Sequence, residues 1–262
     1  MEHVARGAPF RKQVLNGGRA CRGHLSRWLG SALAVGASGA SAVAYAQPVG
    51  EFTGSLTFLS DYVFRGVSQT QEEPAMQGVL DYVHPTGVYA GVFGSNVNLF
   101  DGEPDEPSLE IDVYVGYAGA VGPVGYNVFV TRFTYPDGSN ELIEDFNEYH
   151  ADLSYSIVTV GVDYANDAFG SGADSLYLFA SAEIALNDWI SAHGLAGVYS
   201  FDEDVFGSEL PDSYIHYLVG LSASAIGLDW DLRFEDTDDD AATLFGEDIV
   251  DERVVFSVGK SF

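Results

Sequence analysis

The sequence predicts an all-β fold, a single closed antiparallel transmembrane β-barrel of about twelve strands, and three observations carry that expectation. Apolar and polar residues alternate with a period of two in one segment after another, while no apolar face of helical period extends beyond two turns. The connections alternate between long and short, which places long loops at one end of a sheet and short turns at the other. Finally, the faces opposite the apolar stripes carry many charges, which a dry β-sandwich core could not hold and a wet lumen can.

Residues 1–46 read as a signal peptide. Six of the 11 basic residues (Arg6, Arg11, Lys12, Arg19, Arg22 and Arg27) precede residue 30, where Glu2 is the one acid. An apolar and small-residue run from Trp28 to Val43 follows, then Ala44-Tyr45-Ala46, an A-x-A cleavage pattern that sets the expected mature start at Gln47. There is no twin-arginine pair, and no cysteine follows the apolar run to carry a lipid anchor. The single cysteine, Cys21, lies in this head, so the expected mature chain has neither a disulfide framework nor a cysteine-based zinc site. After residue 46 the longest apolar stretch, Val113 to Tyr126, is interrupted by glycines and Pro123, too short for a membrane helix.

Residues 47–262 form the expected barrel, with strands near 52–65, 75–84, 88–97, 108–118, 126–135, 148–156, 158–166, 174–185, 190–200, 213–225, 228–236 and 251–262. The alternation is clearest where Leu109, Ile111, Val113, Val115 and Tyr117 oppose Glu110, Asp112, Tyr114 and Gly116. It is equally plain where Leu228, Trp230, Leu232 and Phe234 oppose Asp229, Asp231, Arg233 and Glu235. Connections 66–74, 98–107, 136–147, 167–173, 201–212 and 237–250 are long, whereas 85–87, 119–125, 157, 186–189 and 226–227 are mostly short. Strands of about ten residues tilted by about 45° match an apolar band about 25 Å tall, and outer-membrane barrels keep short periplasmic turns and long extracellular loops. A soluble β-sandwich, the competing architecture, gives shorter strands and no such alternation of loop length. Tyr62, Phe64, Tyr82, Tyr89, Tyr117, Tyr126, Trp189 and Trp230 lie near inferred strand ends, as interfacial girdles do. The last strand ends on Phe262, and its alternating apolar face resembles the C-terminal assembly signal of bacterial outer-membrane proteins.

Beyond these patterns, the stretch Ser55-Leu56-Thr57-Phe58-Leu59-Ser60-Asp61-Tyr62-Val63-Phe64-Arg65-Gly66-Val67-Ser68-Gln69-Thr70 resembles the TorF family of porins. So do Pro74-Ala75-Met76-Gln77-Gly78 and Gly87-Val88-Tyr89-Ala90-Gly91. Glu110-Ile111-Asp112, Tyr135-Pro136-Asp137-Gly138 and the closing Gly259-Lys260-Ser261-Phe262 are similar in kind, so the resemblance covers most of the expected mature chain. It implies an outer-membrane barrel and brings no catalytic residues; the long basic head and the strongly acidic loops depart from it.

After residue 30 five basic residues stand against 38 acids, a balance that repels phosphate and excludes nucleic acid as a partner. Parity places Asp61, Asp81, Glu110, Asp112, Asp152, Asp163, Glu183, Asp229, Asp231 and Glu235 on the inner faces, with Arg65, Arg132, Arg233 and Arg253 as counter-charges. Arg132 also shares a face with Val128 and Val130. An acidic pore lining favours cations over anions, so the expectation is a passive diffusion channel for small solutes or cations, without cofactor or covalent chemistry. The alternative is a non-conducting barrel that binds divalent cations or surface partners through its acidic loops, with calcium bridging to lipopolysaccharide as one form. The other expected partners are outer-membrane lipid and the outer-membrane assembly machinery.

Asp236, Asp238, Asp240 and Glu247 have calcium-loop spacing, but Ala241 stands where such a loop needs glycine, and strands flank it. His84, His150, His193 and His216 are the histidines after residue 46. His150, Asp152 and Ser154 share a strand face, yet at about 6.7 Å per two residues they are too spread for a hydrolytic triad unaided. No G-x-S-x-G, HExxH, P-loop or dinucleotide motif follows residue 46.

Overall fold

The computed structural model describes residues 50–103, 105–136, 138, 143–207 and 209–262. The expected signal peptide and the start at Gln47 lie outside these residues. The strands are β1 (Glu51–Leu59), β2 (Val63–Phe64), β3 (Val67–Ser68), β4 (Ala75–Val83), β5 (Val88–Asn96), β6 (Leu109–Val121) and β7 (Val124–Thr134). There follow β8 (Phe146–Tyr155), β9 (Val158–Ala165), β10 (Ser175–Ala185), β11 (Ile190–Phe201), β12 (Ser213–Ala225), β13 (Leu228–Thr237) and β14 (Arg253–Ser261).

Twelve of these close into one antiparallel barrel, each neighbour in space being a neighbour in sequence, and β1 completes the ring by pairing with both β4 and β14. Its register sets Leu56 opposite Lys260 and Phe58 opposite Val258. Closure pairs every strand edge, the condition a sheet must meet to cross hydrocarbon. The outward stripe is predominantly apolar: Phe58, Leu80, Val92, Val113, Leu153, Leu178, Val219, Leu232 and Phe256 are all exposed. A surface of that composition fits a bilayer rather than water. Among the described residues, no helix is long and apolar enough to cross a membrane.

Connections between β4 and β5, β6 and β7, β8 and β9, β10 and β11, and β12 and β13 are short and lie at one end; those at the other end are long. Ile226 (φ 54°) and Gly227 (φ 77°) show why two residues suffice, because two consecutive left-handed residues make a turn whose twist matches the flanking strands. The connection 119–125 is also shorter than expected, two residues between Val121 and Val124, with Gly122 (φ 61°) left-handed.

The largest departure from the sequence expectation concerns strand 52–65, which leaves the wall at Leu59. From Asp61 the chain turns inward, and β2 and β3 pair Val63 with Ser68 and Phe64 with Val67 in a hairpin of their own. Residues 61–70 of this segment are all buried. Its tip is again a two-residue left-handed turn, Arg65 (φ 49°) and Gly66 (φ 88°). A further element, the helix Asp239–Phe245, packs Ala241, Leu244 and Phe245 inward from the connection between β13 and β14. The interior is therefore filled at the long-loop half, where Phe133, Phe146, Phe169, Tyr199 and Tyr214 are fully buried. Toward the short turns the inward positions carry Thr53, Ser181, Glu183, His193, Ser222 and Asp229, all at least partly exposed, so the lumen opens there as a polar vestibule.

Candidate functional site

The inward hairpin crosses the lumen from the β1–β4 seam to the wall facing it. In ring order that wall is β8 to β12, and each of these strands contributes to a pocket around Arg65. Arg65 Nη1 and Nη2 donate to Glu148 Oε2 and Oε1 on β8, each at 3.0 Å, the two-pronged geometry that suits a carboxylate best. Nη2 also lies 3.0 Å from Asp163 Oδ2 on β9. The guanidinium carbon sits 4.3 Å from the ring centre of Tyr177 on β10, 4.5 Å from that of Tyr199 on β11 and 4.4 Å from that of Phe64. Faces of aromatic rings attract a cation. On β12 the Tyr214 hydroxyl donates to the Arg65 carbonyl at 3.0 Å. The side chains of Arg65, Glu148 and Asp163 are only 4–6% exposed, and a charge so buried persists because it is paired. Burial alone would loosen the Arg65 proton; Glu148, the Tyr199 hydroxyl and Asp163 outweigh it and raise the pKa above its ordinary value.

A second set of contacts holds the base of the hairpin. Arg253 Nη1 on β14 donates to Asp61 Oδ2 at 2.9 Å, and Nη2 lies 3.4 Å from Glu72. Ser68 Oγ and Thr70 Oγ1 donate to the other Asp61 oxygen at 2.7 and 3.0 Å.

Behind the pocket the wall forms a polar chain of its own. His150 Nδ1 meets Asp163 Oδ1, and Nε2 meets Asp152 Oδ2 at 2.7 Å. Asn127 donates to Asp152 at 3.1 Å and accepts from the Tyr89 hydroxyl at 2.7 Å. Phe129 stacks on the imidazole at 4.2 Å. On the neighbouring wall Arg233 meets Glu235 and, at 3.4 Å, Asp231; His216 faces Glu235 at 3.5 Å, and His193 faces Asp231 at 3.4 Å. Glu110 and Asp112 are buried beside Tyr62 and Tyr135. Burial, reinforced by those carboxyls, pushes both hydroxyls well above their usual pKa.

Of the residues assigned to the lumen from sequence, Asp61 and Arg65 reach it through the hairpin rather than a wall strand. Asp81, which accepts from the Tyr114 hydroxyl, Glu110, Asp112, Asp152, Asp163 and Glu235 face inward in the filled part of the barrel. Arg233 and Arg253 face inward as well, and Asp231, Asp229 and Glu183 line the vestibule side. Asp229 accepts from Ser224 at 2.8 Å and from Ser261 at 3.0 Å. Arg132 is a correction: it points outward, nearly half exposed, and meets Asp145 of the following loop at 3.4 Å. Near the loop rim an arginine reaches water along its own stem, so the outer stripe tolerates it. Glu148 was missed. It is the inward residue two before His150 on a strand that starts at Phe146, and the shared parity of Glu148, His150 and Asp152 was the available signal. At the end of β13 Asp236 accepts from the Tyr217 hydroxyl, and just beyond it Asp238 accepts from the Ile215 amide at 3.0 Å. Among the described residues no group of three or more histidine, cysteine or acidic side chains is placed to hold a metal ion.

Two solved structures share this architecture. A KdgM porin superposes with a TM-score of 0.51 at 6% identity, covering 80% of this chain and 98% of its own. A NanC porin in a rhombohedral crystal form gives 0.50 at 11% identity, with the same coverage of both chains. At such identities the likeness is one of fold. No curated protein matches the sequence. The family model described as "Bacterial protein of unknown function (Gcw_chp)" matches residues 43–262, which contain the whole barrel, and the chain belongs to that family.

Proposed function

We propose that the protein is an outer-membrane channel for small solutes or ions, with a preference for cations; the resemblance to TorF-family porins implies the outer-membrane barrel alone. The observation that carries this reading is a closed barrel with an apolar exterior and an acidic lumen that opens at the short-turn end. Correcting Arg132 and adding Glu148 leaves Arg65, Arg233 and Arg253 facing the inward acids, so the charge argument becomes stronger. Carboxylates close to the path of an ion lower the barrier for cations and raise it for anions. Both ring nitrogens of His150 face carboxylates, which leaves neither to activate a serine and supports a function without covalent chemistry.

The test is conductance of the purified protein in a planar bilayer, with the reversal potential taken across a potassium chloride gradient. Current steps with a cation-selective potential support the reading, and a chloride preference refutes it. The hairpin across the lumen favours one second reading, a barrel that stays shut and works through its acidic loops, in contact with lipopolysaccharide through calcium. An electrically silent protein with calcium-dependent surface binding would select it.

A further inference from the structure

We propose that the pocket formed by Glu148, Asp163, Tyr177 and Tyr199 is a binding site for the guanidinium or primary ammonium group of a cationic solute, which Arg65 occupies as a tethered internal ligand. The inference deepens the channel reading and rests on it, because a solute reaches this pocket only through the lumen.

Each part of the pocket comes from the wall and has the chemistry that a guanidinium requires. Glu148 offers both oxygens side by side, Asp163 offers one more, and two tyrosine faces lie within 4.5 Å of the cation's centre. The two rings meet edge to face at 5.7 Å, so they brace each other without help from the hairpin. Asp163 is oriented from behind, since His150 engages Oδ1 and leaves Oδ2 for the cation. His150 is in turn fixed by Asp152. The receptor is therefore preorganised by β8 to β11.

Arg65 enters this receptor from the opposite side of the barrel and at a conformational cost. It takes the first place of a left-handed turn, where asparagine, aspartate or glycine fits with less strain. The contacts of the side chain account for an arginine there. Among the described residues the wall directs no arginine or lysine of its own at Glu148 and Asp163: Arg132, Arg233 and Arg253 pair with Asp145, with Asp231 and Glu235, and with Asp61 and Glu72. If the hairpin withdrew with nothing in its place, Glu148 would lose its two-pronged partner and Asp163 Oδ2 its cation, which is unfavourable for carboxylates this buried. Exchange for a solute cation avoids that state, so the site discriminates by chemistry: a planar fork satisfies both carboxylates, a primary ammonium satisfies them in part, and a quaternary ammonium, having no donors, does not.

The test is calorimetric titration of the folded barrel in detergent with methylguanidinium chloride, and tetramethylammonium chloride as the control. A site that Arg65 fills nine-tenths of the time binds about tenfold more weakly than the vacated one, so Arg65→Ala should gain about tenfold or more over wild type. Arg65→Ala with Glu148→Gln should lose that gain, and tetramethylammonium should bind more weakly than methylguanidinium throughout. Where Arg65→Ala does not fold, as judged by heat-modifiable mobility, Arg65→Lys decides: it keeps the charge, loses the fork, and should show a smaller gain of the same sign. Equal methylguanidinium affinity in wild type and in whichever variant folds overturns the proposal. Conductance of the same preparations separates the two ideas, because steps without methylguanidinium binding sink the site alone, whereas binding without steps upholds the site and sinks the channel.

Discussion

The hydroxyl of Tyr214 donates a hydrogen bond of 3.0 Å to the backbone carbonyl of Arg65, 149 residues away in sequence. The wall thus grips Arg65 at both ends, its carbonyl by β12 and its guanidinium by β8 and β9. That makes the hairpin a brace across the lumen, and its release is the first thing to test.

Arg65→Ala should raise single-channel conductance, because the hairpin loses its anchor while Glu148 and Asp163 lose the buried cation that they share. Breaking a buried pair in this way costs about 3–5 kcal/mol, enough to free a short segment without unfolding twelve paired strands. Planar-bilayer recordings supply the measurement. An unaltered conductance would place the hairpin outside the ion path.

Gly66→Val should act in the same direction with the guanidinium intact. The backbone there has a φ of 88°, and a Cβ would lie 2.3 Å from the Thr237 methyl and 3.1 Å from the His216 ring. Strain and collision together expel the tip, and the same recordings test it. If Gly66→Val conducts like wild type while Arg65→Ala does not, charge rather than the hairpin's position controls the current.

Asp229→Asn together with Asp231→Asn should weaken cation selectivity at all salt concentrations, since both side chains line the vestibule. Asp239→Asn with Asp240→Asn, on exposed loop positions, should matter mainly at low salt, because exposed charges are screened beyond about 8 Å at physiological ionic strength. Reversal potentials in dilute and in molar potassium chloride make the comparison. Loop variants that dominate in molar salt would move the selective region to the loops.

Phe262→Asp should lower the folded yield sharply. Phe262 and Gly54 exchange backbone hydrogen bonds of 2.9 and 3.0 Å, and the Phe262 ring covers the face of Gly54 so closely that a Cβ there would fall 2.8 Å from it. Heat-modifiable mobility on a gel reports the closed form, and an undiminished yield would show that this contact is not needed for closure.

Protein recovered from the outer-membrane fraction should begin at Gln47, after Ala44-Tyr45-Ala46. N-terminal sequencing decides it, and an uncleaved soluble product would contradict both the signal and the location.

The wall was legible in the sequence because a strand with one face in lipid and one in the lumen writes its period directly into the residue order, as Leu109 to Tyr117 does. The same property hid the hairpin. Tyr62 and Phe64 keep the apolar parity of Leu56 and Phe58, and Asp61 and Arg65 the polar parity of Ser55 and Thr57, so period two does not distinguish a wall strand from an extended segment buried inside the barrel. Arg132 was assigned inward for its charge against its parity with Val128 and Val130, and its position beside the loop, with Asp145 in reach, explains an outward arginine. The helix Asp239–Phe245 spans two turns, too few to show an apolar period amid three successive aspartates.

The pairing of β1 with β14 also bears on what a barrel lacking that seam would expose. β14 seals the ring between β13 and β1, so a barrel without it presents two raw edges, one on β1 and one on β13. Unpaired backbone at a sheet edge invites aggregation and proteolysis. One strand thus conceals both edges at once, and losing it turns a closed wall into an open sheet with two adhesive sides.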